Sequence, residues 1–236
     1  MDKVTAELRR LLKDQADEQT RESSQHFFKE PIKVYGVKSQ PVRKIAKQLF
    51  NSYLKEWDKG KIFTICEKLW KSGYQEEIGI ACEWSYAIRE KFEPADFAVL
   101  EKWLLNYVSN WAACDILCNH TMAAFVEKYP EFLPKIKKWT LSKNRWARRG
   151  AAVTFIIPAR NGLWLGEMLE IATALMKDAD DMVQKGYGWL LKAASEAHPK
   201  EVFDFVMAHK KEMPRTAFRY SLEKMPKEWR AEAMRK

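Results

Sequence analysis

A chain of 236 residues with 47% hydrophobic and 31% charged side chains holds ample material for a buried core, which excludes a disordered tail protein. Only 9 Gly and 9 Pro occur, too few turn residues for an all-β sandwich or barrel, so long helices are favoured. Lys and Arg number 41 against 32 Asp and Glu, and the net charge of +9 puts nucleic acid first among candidate partners.

Residues 1–7 form a charged helical pattern rather than a secretory signal. No apolar run reaches the ~18 residues of a membrane span, so a cytoplasmic protein without membrane contact is expected. Residues 1–37 read as an N-terminal helical cap. Beyond it, helix openings preceded by polar or turn residues recur near Ser39, Tyr74, Trp111, Trp146, Met182 and Arg215, at gaps of 33 to 37 residues. Each interval holds a second amphipathic segment, at 59–70, 94–107, 130–141, 163–177 and 199–211. Several of these open with proline, which suits the first helical turn because its missing N–H has no partner to lose. Phe97, Leu100, Leu104 and Tyr107 make one apolar stripe, and Val202, Phe203, Phe205 and Val206 another. Helical pairs of this length cannot bury their apolar faces alone. The expected fold is therefore all-α, a curved α-solenoid of HEAT-like or armadillo-like repeats, with about six pairs from 38 to 236 in a single domain spanning 1–236.

Cys66, Cys82, Cys114 and Cys118 lack the spacing of a disulfide scaffold and read as buried thiols in a reducing compartment. Zinc ligation by Cys114, Cys118 and His120 lacks a fourth ligand. On one helix His120 points about 200° away from Cys118, at about 100° per residue, so no metal is expected. G-x-S-x-G elbows, H-E-x-x-H pairs and phosphate-binding glycine loops are absent, and no cofactor is called for.

Between 135 and 149 lie seven bases and no acid: Lys135, Lys137, Lys138, Lys143, Arg145, Arg148 and Arg149. Such runs are usually solvated faces, but this one reaches a first-of-pair helix. Further bases lie along the other first-of-pair helices, Lys38, Arg43, Lys44 and Lys47, then Lys185 and Lys192, then Arg215 and Arg219. On one shared concave wall they would form a stripe that tracks phosphates. Trp111, Trp146 and Trp189 interleave with them, although a helical tryptophan is more often core than site. Trp111 and Asp115 stand at i and i+4 and project from one helix face. Leu117, Ala113 and Ala124 are expected inside, with Met122 beside Trp111 and Asp115 on the groove wall.

With a helical repeat, the helix start Ser109, Trp111 and Asp115 (S-x-W-x-x-x-D) and a basic groove, the chain resembles the HEAT-like repeat DNA glycosylases of the AlkD type, within the DNA alkylation repair enzymes. The resemblance is carried by Tyr35-Gly36-Val37 through Arg43, Ser109 through Asp115, Trp146-Ala147-Arg148-Arg149 and Gln184 through Leu191, and more weakly by Arg215 through Leu222. It implies the catalytic aspartate at Asp115, sugar-contacting tryptophans at Trp111 and Trp189, and a cleft arginine at Arg149. Phe27 stands where the family's cap has a tyrosine, and Asn110 and Ala112 stand where its motif often has Trp and Asp. With Phe27, the bases Arg43, Lys44, Arg145, Arg148, Lys185, Lys192, Arg215 and Arg219 are expected to contact double-stranded DNA. The implied activity is removal of cationic N3- and N7-alkylated purines in base excision repair, by a monomer, without drawing the base into a pocket as base-flipping enzymes do. Two other functions fit a helical-repeat groove: a non-catalytic binder of damaged or branched DNA, and a scaffold that holds peptides.

Overall fold

A computed structural model describes residues 1–235. Among these residues every regular element is helical, and the β-type pairing is confined to an isolated bridge between Lys33 and Tyr74. The contacts divide the chain into two compact units, Met1–Leu117 and a second that begins at Cys118.

The first unit contains α1 (Asp2–Asp14), α2 (Glu18–Gln25), α3 (Ser39–Leu49), α4 (Lys59–Ser72), α5 (Gln75–Ala87), α6 (Asp96–Asn106) and α7 (Trp111–Ile116). In α1, Val4, Leu8 and Leu12 recur every four residues and are all buried, which makes one apolar stripe. Helix α4 opens on Asp58, whose carboxylate accepts a hydrogen bond from the Lys61 N–H at 2.8 Å, and closes on the left-handed Gly73. The core is rich in indoles: Trp70, Trp84 and Trp103 are each at most 1% exposed. Each ring removes on the order of 200 Å² from water, about 5 kcal/mol at 25 cal/mol/Å². Trp84 also donates its indole N–H to the Ala46 carbonyl at 2.9 Å and so ties α5 to α3.

Two buried carboxylates at the start of α5 pin the N-terminal cap. Glu76 accepts the backbone N–H groups of Tyr35, Gly36 and Val37 at 2.9 to 3.1 Å. Glu77, fully buried, takes two bonds from Arg9 and one from the Tyr35 hydroxyl at 2.7 Å. Gly36 has φ 90°, and a Cβ there would lie 2.5 Å from the Asp17 carbonyl oxygen, so the segment 33–37 passes the start of α2 only because this residue has no side chain.

The second unit contains α8 (Ala123–Lys128), α9 (Leu133–Lys138), α10 (Arg145–Val153), α11 (Ile156–Arg160), α12 (Leu165–Leu175), α13 (Asp181–Ala194), α14 (Pro199–Ala208), α15 (Arg215–Ser221) and α16 (Lys227–Met234). Helix α13 is its hub and packs on α10, α11, α12 and α15. At Gly188 a Cβ would meet Ala217 Cα and Tyr220 Cβ at 2.9 Å, so the missing side chain lets α13 and α15 approach backbone to backbone.

The six expected openings coincide within one residue with the starts of α3, α5, α7, α10, α13 and α15. The second segments correspond to α4, α6, α9 with its flanking 3-10 turns, α12 and α14. One expectation fails. The helix that begins at Trp111 leaves α geometry at Leu117 for a π-helical stretch, Leu117–Met122. The wider turn shifts the phase of the residues that follow. Met122 is fully buried rather than on a groove wall, and Ala124 is only half-buried.

Candidate functional site

In the first unit the site is built on α7. Asn110, 1% exposed, caps this helix by accepting the Ala113 N–H at 3.0 Å. Ala113 and Cys114 are buried and anchor one face, while Trp111 and Asp115 lie half-buried one turn apart. The Trp111 indole N–H donates to the Phe27 carbonyl at 3.1 Å, and the Phe28 ring stacks on it at 5.3 Å with planes 18° apart. The indole is thus held at its edge and covered on one face. The aromatic ring that touches Trp111 belongs to Phe28, whereas the Phe27 ring is 73% exposed and this residue holds Trp111 through its backbone. Two adjacent phenylalanines carry no sequence signal that distinguishes these roles. A carboxylate one helical turn from a fixed π surface can stabilise a cation placed between them.

The first-unit bases expected to contact DNA face solvent. Arg43 lies 3.8 Å from Glu83, and Lys38, Lys44 and Lys47 have no carboxylate within ion-pair distance among the described residues. Those of the second unit are mostly engaged. Arg148 binds Asp178 through two bonds, at 2.5 and 3.3 Å, and the Ser142 and Lys143 carbonyls. Arg145 pairs with Asp180 and lies over the Trp146 ring at 4.7 Å, and Trp146 itself is buried. Lys185 reaches Asp181 at 3.3 Å, Lys192 pairs with Glu223, and Lys137 pairs with Glu170. Arg149 is 5% exposed and donates to the Met182 carbonyl at 2.5 Å, which fastens α10 to the start of α13. A Cβ at Gly186 would lie 3.3 Å from its Cγ, so that glycine makes room for the arginine stem. Trp189 is half-buried on α13, and its indole N–H makes no hydrogen bond among the described residues. Arg215 and Arg219 are exposed and, with Lys210 and Arg235, line a pocket of about 270 Å³ that contains no carboxylate side chain.

Two features escaped the sequence. The acids that answer the basic run lie 30 to 35 residues further along, in the next repeat. Likewise Glu76 and Glu77 resemble any acidic first turn until their partners, about 40 residues earlier, are seen. Cys66, Cys82, Cys114 and Cys118 are buried, and burial pushes the Cys66 thiol well above its usual range. Among the described residues no group of three or more His, Cys, Asp or Glu is placed to hold a metal ion, and no helix is long and apolar enough to cross a membrane.

No curated protein matches the chain in sequence. A solved structure described as a predicted DNA alkylation repair enzyme from Enterococcus faecalis superposes with a TM-score of 0.80 at 17% identity, covering 90% of this chain and 98% of that one. At that identity the likeness is one of fold. The sequence matches the family described as DNA alkylation repair enzyme over residues 8–225. With nearly its whole length matched, the chain belongs to the DNA alkylation repair enzyme family.

Proposed function

We propose that this protein is a monofunctional DNA glycosylase that removes cationic N3- and N7-alkylated purines from duplex DNA during base excision repair, as a monomer and without a cofactor. The observation that carries this reading is the fixed Trp111 with Asp115 one turn further along the same helix. Alkylation at N3 or N7 makes the purine a cationic leaving group. As the glycosidic bond breaks, its electron pair goes to the purine, which departs neutral, and positive charge develops on the deoxyribose. The Asp115 carboxylate stabilises that charge and orients a water, whose oxygen bonds to the sugar carbon and whose proton passes to the carboxylate. The Trp111 π surface adds a cation–π contribution. Arg43, Lys44, Arg215 and Arg219 supply phosphate contacts directly, whereas Arg145, Arg148, Lys185 and Lys192 do so by exchanging their carboxylate partners. Trp189 and Phe27 offer DNA a surface of their own, and Arg149 supports α13 from inside.

No lysine lies between Asn106 and Glu127, so the product is an abasic site in an intact strand rather than a Schiff-base adduct. The test is release of methylated bases from duplex DNA. Asp115→Asn keeps the shape and loses the charge, so excision falls by about a hundredfold, roughly 3 kcal/mol, while DNA affinity and melting temperature stay near wild type. Full activity in a stably folded Asp115→Asn protein, or borohydride trapping of a covalent complex, overturns the mechanism. Asn110, a buried helix cap where the family's motif often has tryptophan, favours one second reading, that of a damaged-DNA binder without excision. Tight duplex binding with no released base would establish it.

A further inference from the structure

Helix α2 is an element that core formation does not explain. None of its eight residues is buried, and a polar helix of that length is marginal in water by itself. Specific bonds hold it instead. The Asp17 carboxylate caps it by accepting the Thr20 N–H at 2.7 Å, and the Asp17 N–H donates at 3.0 Å to the carbonyl of Gly36, whose own N–H is held by the buried Glu76. At its far end α2 runs into the turn that clamps Trp111 through the Phe27 carbonyl and the Phe28 ring.

Gln25, the last residue of α2, organises that turn. Its main-chain carbonyl accepts the Phe28 N–H at 3.1 Å. Its side-chain N–H groups donate back to the Phe28 carbonyl at 3.3 Å and to the Glu30 carbonyl at 3.0 Å, while its side-chain oxygen accepts the Ile32 N–H at 3.2 Å. Both main-chain polar groups of Phe28 are therefore tied to one residue, a single step along the chain from the carbonyl that holds the indole. A glutamine amide carries the donor and the acceptor that this requires, whereas a glutamate of the same size has no donor at neutral pH.

We propose that Gln25 is a positioning residue for the excision reaction: by fixing the turn at Phe27 and Phe28 it holds the Trp111 indole in the orientation in which its π surface meets the developing sugar cation. The assignment rests on the proposed part of Trp111 in that reaction. A cation–π contact depends on where the ring face lies, and a displacement of about 1 Å caused by a change remote from the chemistry costs as much as a hundredfold in rate. Gln25 is itself exposed, so water replaces its bonds when the side chain is removed and the fold loses little stability. Its effect on the position of Trp111 is thereby separable from an effect on folding.

Two substitutions test it. Gln25→Ala removes the three side-chain bonds, and Gln25→Glu keeps the size and the Ile32 bond but sets a carboxylate against the Phe28 and Glu30 carbonyls. One readout is the Trp111 indole N–H signal in ¹H–¹⁵N spectra, assigned by its loss in Trp111→Phe, whose exchange with water reports the bond to Phe27. The other is single-turnover excision from methylated duplex DNA, followed as the rate at saturating protein and the concentration at half-maximal rate. In both variants the indole N–H exchanges at least about fivefold faster than in wild type. The saturating rate falls about tenfold, while the half-saturating concentration stays within about twofold and the melting temperature within about 2 °C. A wild-type indole signal in both variants overturns the proposal, and so does wild-type behaviour of Gln25→Glu, which would reduce the side chain to its bulk. A freed indole with undiminished excision overturns it together with the role of Trp111. A wild-type protein that releases no base would sink the excision reading, and the indole signal would still decide whether Gln25 holds Trp111 in place.

Discussion

The bases of α3 in the first unit and of α10 in the second are used differently. On α3 of the first unit Lys44 and Lys47 project into solvent with no carboxylate within ion-pair distance among the described residues, and Arg43 is only loosely placed against Glu83. On α10 of the second unit Arg145 and Arg148 are half-buried and bound to Asp180 and Asp178, and Arg149 is enclosed against α13. In linear sequence the second set looks like the stronger phosphate patch, because the acids that neutralise it belong to another repeat. A base that the fold has already paired must give up its carboxylate before it can meet an anion. The tryptophans differ as well: Trp111 is clamped by the cap, while the Trp189 indole N–H has no such bond.

Substituting the bases tests this contrast most severely. Arg148→Ala removes four hydrogen bonds and strands Asp178, whose side chain is 10% exposed, and the expected loss is about 3 kcal/mol of unfolding free energy in urea titrations. Lys44→Ala changes stability by less than about 0.5 kcal/mol but lowers the slope of log affinity against log salt for duplex DNA by about 0.9. If Arg148→Ala were neutral for stability and Lys44→Ala neutral for the salt slope, the distinction between engaged and available bases would collapse.

The next largest effect concerns the hub of the second unit. Gly188→Ala forces a methyl group against the α15 backbone and costs about 2 kcal/mol, read as a drop in melting temperature. A smaller effect sharpens the account of the clamped tryptophan. Phe28→Ala loses the ring stack on Trp111, worth about 1 kcal/mol, and its test is whether excision falls further than stability alone explains.

The smallest is electrostatic. The Lys102 ammonium, with help from Lys71 and the Tyr107 hydroxyl, lowers the Glu67 carboxyl from its ordinary 4.5 to about 2. A carboxylate whose folded value is depressed contributes stability that is complete above its unfolded value and fades as pH falls through the folded one. Glu67→Gln is therefore slightly less stable than wild type at neutral pH, because both lysine partners are largely exposed and screened. The gap closes between pH 4.5 and about 2, and urea titrations across that window measure it. A gap that widens on acidification contradicts the pairing.

Much of the architecture was legible from the chain alone. Capping residues such as Asp58, Asn144 and Asp180, prolines such as Pro199 in first turns, and apolar stripes at helical spacing act within a few residues of themselves. They located α3 through α15 as repeating pairs, and the motif at Ser109 through Asp115 led to the family. The π-helical stretch after Ile116 was not visible, because no residue type in Leu117–Met122 demands it and surrounding packing selects it.

Local chemistry along the chain thus accounts for the helices, their pairing and the residues to suspect. Which of those residues can act is set by packing: Phe28 rather than Phe27 covers Trp111, Asp178 and Asp180 hold Arg148 and Arg145, and Glu76 and Glu77 pin the cap. Secondary structure follows from forces that act over one or two turns, whereas the availability of a charge or an aromatic face depends on partners 30 to 84 residues away, brought close only by packing.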